Sequence, residues 1–453
     1  MIMNSKYLTL AVLLCSCMGM SAQSMKEISS EDILLYYGGQ QTFAISPNGR
    51  YVCGATFAWS GFIYDAVENK NTIFTEDTGS SFIDNSTQLL DVNDSGVAVG
   101  FDDNGGIVVD AEGNYRLIEP QDSENDLMAL PHALNEDASV IVGSVTDSSW
   151  SQQACIWKDG VRIMLPQISE EEAGFRINGC CATDISADGR VILGYVIDRL
   201  STYPMVVWTL QSDGSYALNP IFLDQFESNN VAIRDEDGFI IGYERGDRPF
   251  LIFTPCALSP DGKTVVMQVV ENNDDIQMSY KAAFYDVASG DIEVIDNKGG
   301  VIDDYGYFEI AGLSDNKVAV GYAGLMGEYM SPFVLYGETG RDLTLSQAFP
   351  GIKTLAEYEE RMGLGYPWLA SGISANGQYI TGYGVIVAND NLAAMAFIID
   401  TENGAVIGSV VDETREKSIV GYYSIDGTCI DRMQKGINVI RYSDGSSRKI
   451  LKK

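Results

Sequence analysis

The side chains best placed to do chemistry in this chain are aromatic and charged residues gathered in a few stretches. They are Trp59 in TFAWS, Trp150 in DSSWSQQ, Tyr203 in RLSTYP, Arg245 and Arg248 in ERGDR, Tyr280 at the end of NNDDIQMSY, and Tyr329 in GEYMS. Exposed Trp and Tyr rings stack on sugar faces or anchor a protein partner, so these positions are the candidate ligand-binding residues. The bland account of each ring is that it packs on its own neighbours. The same stretches hold carboxylates: Asp147, Glu244, Asp247, Glu271, Asp274 and Glu328. Two carboxyl groups roughly 5 to 10 Å apart are what a glycosidase needs. A close pair would favour a polysaccharide-active enzyme, a hydrolase or lyase, whereas scattered acids among clustered aromatics favour a binding protein. A scaffold in a cell-surface assembly would instead show a large flat apolar patch.

Other chemistries find little to stand on. There is no G-x-S-x-G elbow, P-loop or dinucleotide fingerprint, and the one histidine, His132, reads as an ordinary strand residue. No cysteine pair has zinc-knuckle spacing. Asp91 to Gly96 (DVNDSG) and Asp184 to Gly189 (DISADG) resemble the start of a calcium loop, but both coincide with a hairpin turn that recurs elsewhere without its first acid. No catalytic residue, metal or cofactor is therefore assigned.

The elements that must position the candidate residues repeat. TDISADGRVILGY, from Thr183, is an apolar strand, a polar turn and a second strand, with Gly189 free to take the positive φ of a tight reversal. The same hairpin recurs from Ala44, Asp91, Ala133, Ala232, Ala257, Gly312 and Gly372. Each copy is followed by a bulky apolar strand: GFIYD, GIVVD, ACIW, MVVW, PFLIF, AAFYD, PFVLY and AFIID. From Phe62 to Phe397 the mean repeat is about 48 residues, a propeller-like period. A fourth strand follows most units, as in NYRLIEP and GVRIMLP. The chain thus reads as an all-β protein, a β-propeller of eight repeat units followed by a small C-terminal β module. Unit five, Val231 to Pro255, has no room for a fourth strand, so the propeller has either eight blades or seven plus an inserted hairpin. Eight is preferred, because unit five carries both signatures. In either case the loop between the first two strands of a unit is short and repetitive. The loop between the second and third is long and varied, and it carries the candidate residues on one face. A helix is expected at TLAEYEERMGLG from Thr354, covering one end of the barrel of blades.

The ends suggest export. Lys6, an apolar run from Tyr7 to Leu14 and small residues up to Ala22 form a signal peptide over residues 1–22, leaving a propeller over 23–403 and a module over 404–453. A rival reading takes Leu14-Cys15-Ser16-Cys17 as a lipobox with Cys17 lipidated, a poor match because of Cys15. The expected location is secreted or at the cell surface, with no transmembrane helix. Formal charge is −34, from 63 acids and 29 bases, which argues against nucleic acid or an anionic membrane as main partner, and the loop aromatics make a carbohydrate or surface protein the expected one.

ALSPDGKTVVM followed by AAFYDVASGDIEVID resembles the repeat of TolB and prolyl-oligopeptidase propellers. GISANGQYITGYG with AFIID is similar to the bacterial extracellular repeats named for a His-Ala-Phe strand, here without the His. The resemblance spans about Gly38 to Asp400 and implies architecture, not activity. The tail from Gly421 resembles the C-terminal sorting domain of Bacteroidota type 9 secretion, through Tyr423, Asp426, Gly427, Lys435, Gly436, Val439, Gly445, Lys449 and Lys453. That resemblance implies passage across the outer membrane by the export machinery that reads residues 421–453.

Overall fold

Seven hairpins of this chain share one local device, visible in the computed structural model. The structure describes residues 23–30, 38–74, 86–118, 128–146, 151–173, 177–198, 205–221, 230–238, 240–245, 250–272, 278–297, 299–324, 330–362, 368–388, 391–401, 419–424, 429–430, 432, 434, 436–442 and 447–452. The first strand of each hairpin ends in a buried small polar residue: Ser46, Asn93, Asn135, Ser186, Ser259, Ser314 or Ser374. Its side-chain oxygen accepts the backbone N–H that opens the second strand, as in Val191 N to Ser186 Oγ at 3.0 Å and Val97 N to Asn93 Oδ1 at 2.9 Å. The serine hydroxyls in turn donate to the turn's Asp or Asn, as Ser186 does to Asp188. A turn that must be buried is thereby left with its polar atoms paired.

Each first strand also carries a one-residue bulge at the same place, at Phe43, Leu90, His132, Thr183, Cys256, Ala311 and Ser371. The bulge explains the glycine that ends so many second-strand motifs. A Cβ on Gly54, Gly100, Gly143, Gly194, Gly321 or Gly382 would lie 1.8 to 2.1 Å from a carbonyl oxygen of the first strand.

Each of these hairpins extends into four antiparallel strands, giving seven blades among the described residues, and a parallel bridge between Gln152 and Gly179 joins blades three and four. Their first strands are Gln40–Ile45, Gln88–Val92, Met128–Leu134, Ile177–Ile185, Phe250–Leu258, Phe308–Leu313 and Trp368–Ile373. Apolar layers fill all seven spaces between adjacent blades; Trp208 lies between blades three and four, and Phe308 and Phe333 between five and six. The ring closes through Ser24–Glu27, which pairs with Phe397–Asp400 as the outer strand of blade seven, so chain start and last repeat share one sheet.

The turns bond to one another around the ring as well. Ala375 N donates to Pro47 O, Asn48 N to Asp94, and Asn93 Nδ2 to Glu136 O. Glu136 N donates to Ala187 O, Ala187 N to Pro260 O, Asp261 N to Asp315, and Asp315 N to Ala375 O. This belt joins every adjacent pair of blades.

Unit five is not a blade. Asn230–Arg234 and Ile240–Arg245 form a two-stranded sheet of their own, and the PFLIF signature belongs to the nine-residue first strand of the next blade, Phe250–Leu258. Of the two arrangements open in the sequence, the structure adopts seven blades plus an inserted hairpin, against the preference for eight. The physical reason lies in the turn. Where every blade has a buried Ser or Asn just past the first strand, this unit has the half-buried Asp235, which accepts from Asp237 N at 3.1 Å, and its bulge falls on the opposite strand, at Ile241.

The expected helix runs from Lys353 to Met362. Leu355 is wholly buried with Phe349 and Ile352 in the apolar layer of blades six and seven, so the helix is rooted between blades. A short helix before it, Leu345–Ala348, has the reciprocal capping box of Thr344 and Gln347.

By contacts the chain divides at Ile407 and Gly408. The C-terminal unit contains Ile419–Ser424, Cys429–Ile430, Gly436–Tyr442 and Ser447–Lys452, one antiparallel four-stranded sheet in which the first of these strands lies between the second and third. Residues 1–22, which hold the expected signal peptide and Cys17, lie outside the described residues.

Candidate functional site

The bulges face the propeller axis, and around them lies a cavity of about 130 Å³ lined by residues of all seven first strands, Phe43, Asp91, Leu134, Asp184, Ala257, Ala311 and Ser371 among them. Two acids stand in it at equivalent places, each one residue past its bulge. Asp91 accepts from its neighbour Val92 N at 2.8 Å and from Leu134 N of blade three at 3.0 Å. Asp184 accepts from Ile185 N at 2.8 Å and from Leu258 N of blade five at 2.9 Å. Each carboxyl group staples its blade to the next. Their remaining accessible surface faces the cavity, and this enclosure raises the Asp91 carboxyl to about 7 and that of Asp184 to about 6, the backbone bonds opposing. Enclosure acts likewise on Glu136, raised to about 7, and on His132, lowered to about 4. The two turns with calcium-like spacing are thus occupied: Asn93 and Ser186 bond their own backbone, and Asp91 and Asp184 bond the next blade.

The opposite, long-loop face carries different chemistry. In blade one the connection between second and third strands, residues 57–60, presents Trp59, 57% exposed and at a φ of 60°. Left-handed backbone is an outlier for a bulky residue and costs about 1–3 kcal/mol. Three bonds hold it: Trp59 N to Thr56 O at 2.9 Å, Ser60 N to Thr56 Oγ1 at 3.0 Å, and Thr87 N, at the approach to blade two, to Trp59 O at 2.7 Å. The backbone that carries the indole is thus held in place, and the ring is open to solvent.

A second group lies across blades five and six. Glu309, exposed in the first strand of blade six, sits directly opposite Tyr322 in the second. Tyr307 Oη donates to Glu309 Oε1 at 2.8 Å and Tyr322 Oη donates to Oε2. Tyr280, from the third strand of blade five, meets the Tyr307 ring edge to face with centroids 5.4 Å apart. Burial and the bond to Glu309 push both phenols well above the ordinary tyrosine range, so they remain neutral donors. Tyr383 of blade seven is close enough for its charge to act on Tyr322.

Of the residues nominated from the sequence, Trp59 and Tyr280 are therefore found on the long-loop side, one exposed and one in a polar aromatic group. Arg245 ends the second strand of the inserted hairpin. Trp150, Tyr203, Arg248 and Tyr329 lie outside the described residues, as do Asp147, Asp247, Asp274 and Glu328; Glu244 and Glu271 lie on strands. Sequence reasoning missed Glu309, Tyr307 and Tyr322. The one signal for them was the Gly-Tyr that ends several second strands, since Tyr195, Tyr322 and Tyr383 each stand directly after the glycine that faces the bulged strand. Cys53, Cys155, Cys180 and Cys181 are buried thiols.

No family model matches this chain, and no curated protein does. Among solved structures it is similar to an oligogalacturonate lyase in complex with manganese, at 10% identity over 85% of this chain and 98% of that one, with a TM-score of 0.50. An oligogalacturonate lyase from Vibrio parahaemolyticus matches at 10% identity over 84% of this chain and 97% of that one, TM-score 0.49. TolB from Acinetobacter baumannii matches at 14% identity over 76% of each chain, TM-score 0.35. At such identities a likeness speaks for fold alone. The seven blades, with the likeness at a TM-score of 0.50, make this chain a β-propeller.

Proposed function

We propose that this protein is an exported, non-catalytic recognition propeller that binds a carbohydrate or a protein through its long-loop face. The observation that carries the reading is Trp59: a large indole, mostly exposed, in a backbone conformation that glycine would adopt without strain. Strain held in place by three hydrogen bonds around an exposed ring is what a preorganised contact residue requires. The opposite face is occupied by its own belt of turn-to-turn bonds. The C-terminal unit, with its resemblance to sorting domains, would direct export, and no helix among the described residues is long and apolar enough to cross a membrane.

The test is a glycan and surface-protein binding screen of the full chain beside Trp59→Gly. Binding that falls at least tenfold in the variant supports the reading. A folded wild-type protein that binds nothing, or a ligand held equally by both proteins, overturns it. Turnover of any bound polysaccharide would replace it with the enzyme reading. Removing residues 421–453 should leave the protein behind the outer membrane; unchanged export would refute the sorting role.

A further inference from the structure

We propose that Glu309, together with Tyr307 and Tyr322 and flanked by Tyr280, forms a subsite for a protonated amine or guanidinium group. The proposal begins from an imbalance. Both oxygens of Glu309 are engaged, yet by neutral phenols, which orient the carboxylate without cancelling its charge. Among the described residues no Lys or Arg pairs with it. In ordinary surfaces such a carboxylate finds a cation or stays mobile in water. Here it is exposed and pinned at both ends, its orientation set before a ligand arrives.

The surroundings suit an organic cation better than a neutral or acidic ligand. The phenol oxygens that donate to Glu309 keep lone pairs for a ligand's N–H groups. The edge-to-face pair of Tyr280 and Tyr307 supplies aromatic surface of the kind that attracts ammonium and guanidinium groups. A chain of formal charge −34 adds long-range attraction for cations and repels polyanions such as chains of uronic acids. The raised phenol titrations fit this picture, since both tyrosines stay uncharged across the physiological range. The same cationic group is found on Lys or Arg of a protein and on an unacetylated amino sugar, and the experiment separates these sources. The subsite shares its face with Trp59 but none of its residues, so it stands or falls separately from the reading above.

The test titrates the full chain at low ionic strength with n-butylammonium, with capped Lys and Arg tripeptides, with a glucosamine trimer, and with a trimer of N-acetylglucosamine as the neutral control. Binding is read by calorimetry and by tyrosine absorption, which must respond because the phenols contact the binding carboxylate. The expected result is that at least one cationic probe binds, the neutral trimer binds at least tenfold more weakly, and Glu309→Gln loses tenfold or more. Tyr307→Phe and Tyr322→Phe should each lose severalfold, and they serve in its place if Glu309→Gln does not fold. Glu112→Gln, an exposed acid in a turn of blade two, should leave affinity unchanged. Equal losses in Glu112→Gln and Glu309→Gln would reduce the effect to net charge and overturn the proposal. So would unchanged affinity in Glu309→Gln, equal affinity for the neutral trimer, or failure of every cationic probe to bind.

Discussion

On one face of the propeller Ser186, with no exposed surface, spends its hydroxyl on the turn that contains it, and Gly189 takes the positive φ that the turn demands. On the other face Trp59 takes a positive φ with an indole in solvent, and Tyr307 and Tyr322 spend their hydroxyls on an exposed carboxylate. Five of the seven turns on that face place glycine at the positive-φ position, and Ala138 and Lys317 take it in the other two. The long-loop face holds residues in arrangements that folding alone does not reward. The difference separates scaffold from site: polar atoms that serve stability point into the chain's own backbone, whereas those that serve recognition are ordered and left accessible.

The comparison can be broken most severely from the scaffold side. In Gly100→Ala the new Cβ would lie 1.8 Å from the carbonyl oxygen of Gln88, so the bulge must reorganise. A loss of about 3 kcal/mol or more is expected, read by denaturant unfolding, and a near-neutral result would mean that the bulge is not a fixed feature. Blade five, where Met267 stands opposite Pro255, is the natural control, and Met267→Gly there should bring no comparable gain. Ser186→Ala removes the buried acceptor for Val191 N and Arg190 N, for an expected loss of about 2–3 kcal/mol. Ser186→Asn, copying blades two and three, should recover part of it.

The channel acids supply a pH dependence that belongs to the scaffold. Asp91, Asp184 and Glu136 have folded pKa values raised above the unfolded ones, so the stability they contribute is complete below about pH 4 and is lost as pH rises towards 7. His132 works the other way: its folded value is lowered, so its contribution is present above about 6.5 and is lost as pH falls towards 4. The three acids outweigh the one base, and unfolding free energy should decline between pH 5 and 7.5. Asp91→Asn should lower stability throughout by disturbing the staple to Leu134, yet shrink that decline by on the order of 2 kcal/mol. An unchanged slope would mean that Asp91 is ionised across the whole range.

The smallest stability effect should come from the site. Trp59→Gly removes the strain but gives up the covered part of a side chain that is 57% exposed, so stability should change by no more than about 1 kcal/mol while ligand binding falls. Scaffold variants lose stability first, and this one loses chiefly recognition. A larger loss of stability in Trp59→Gly would place Trp59 with the scaffold and erase the contrast between the faces.

Much of the architecture was legible because it is local. The hairpin turns, the bulky third strands and the helix near Lys353 depend on residues within a few positions of one another, and the repeated pattern implied a propeller. Two strands pair through their own backbones whether or not neighbouring blades accept them, so counting hairpins counted one blade too many. Only the tertiary structure decided the rest. Asp91 reaches Leu134 across 43 residues, Asp184 reaches Leu258 across 74, and Thr42 meets Ser371 across 329. Glu309 becomes a candidate site only when blade five brings Tyr280 onto Tyr307. Strand sequence sets which residues share a sheet face, but closure of the ring sets which faces meet, and the chemistry of this protein lies where they meet.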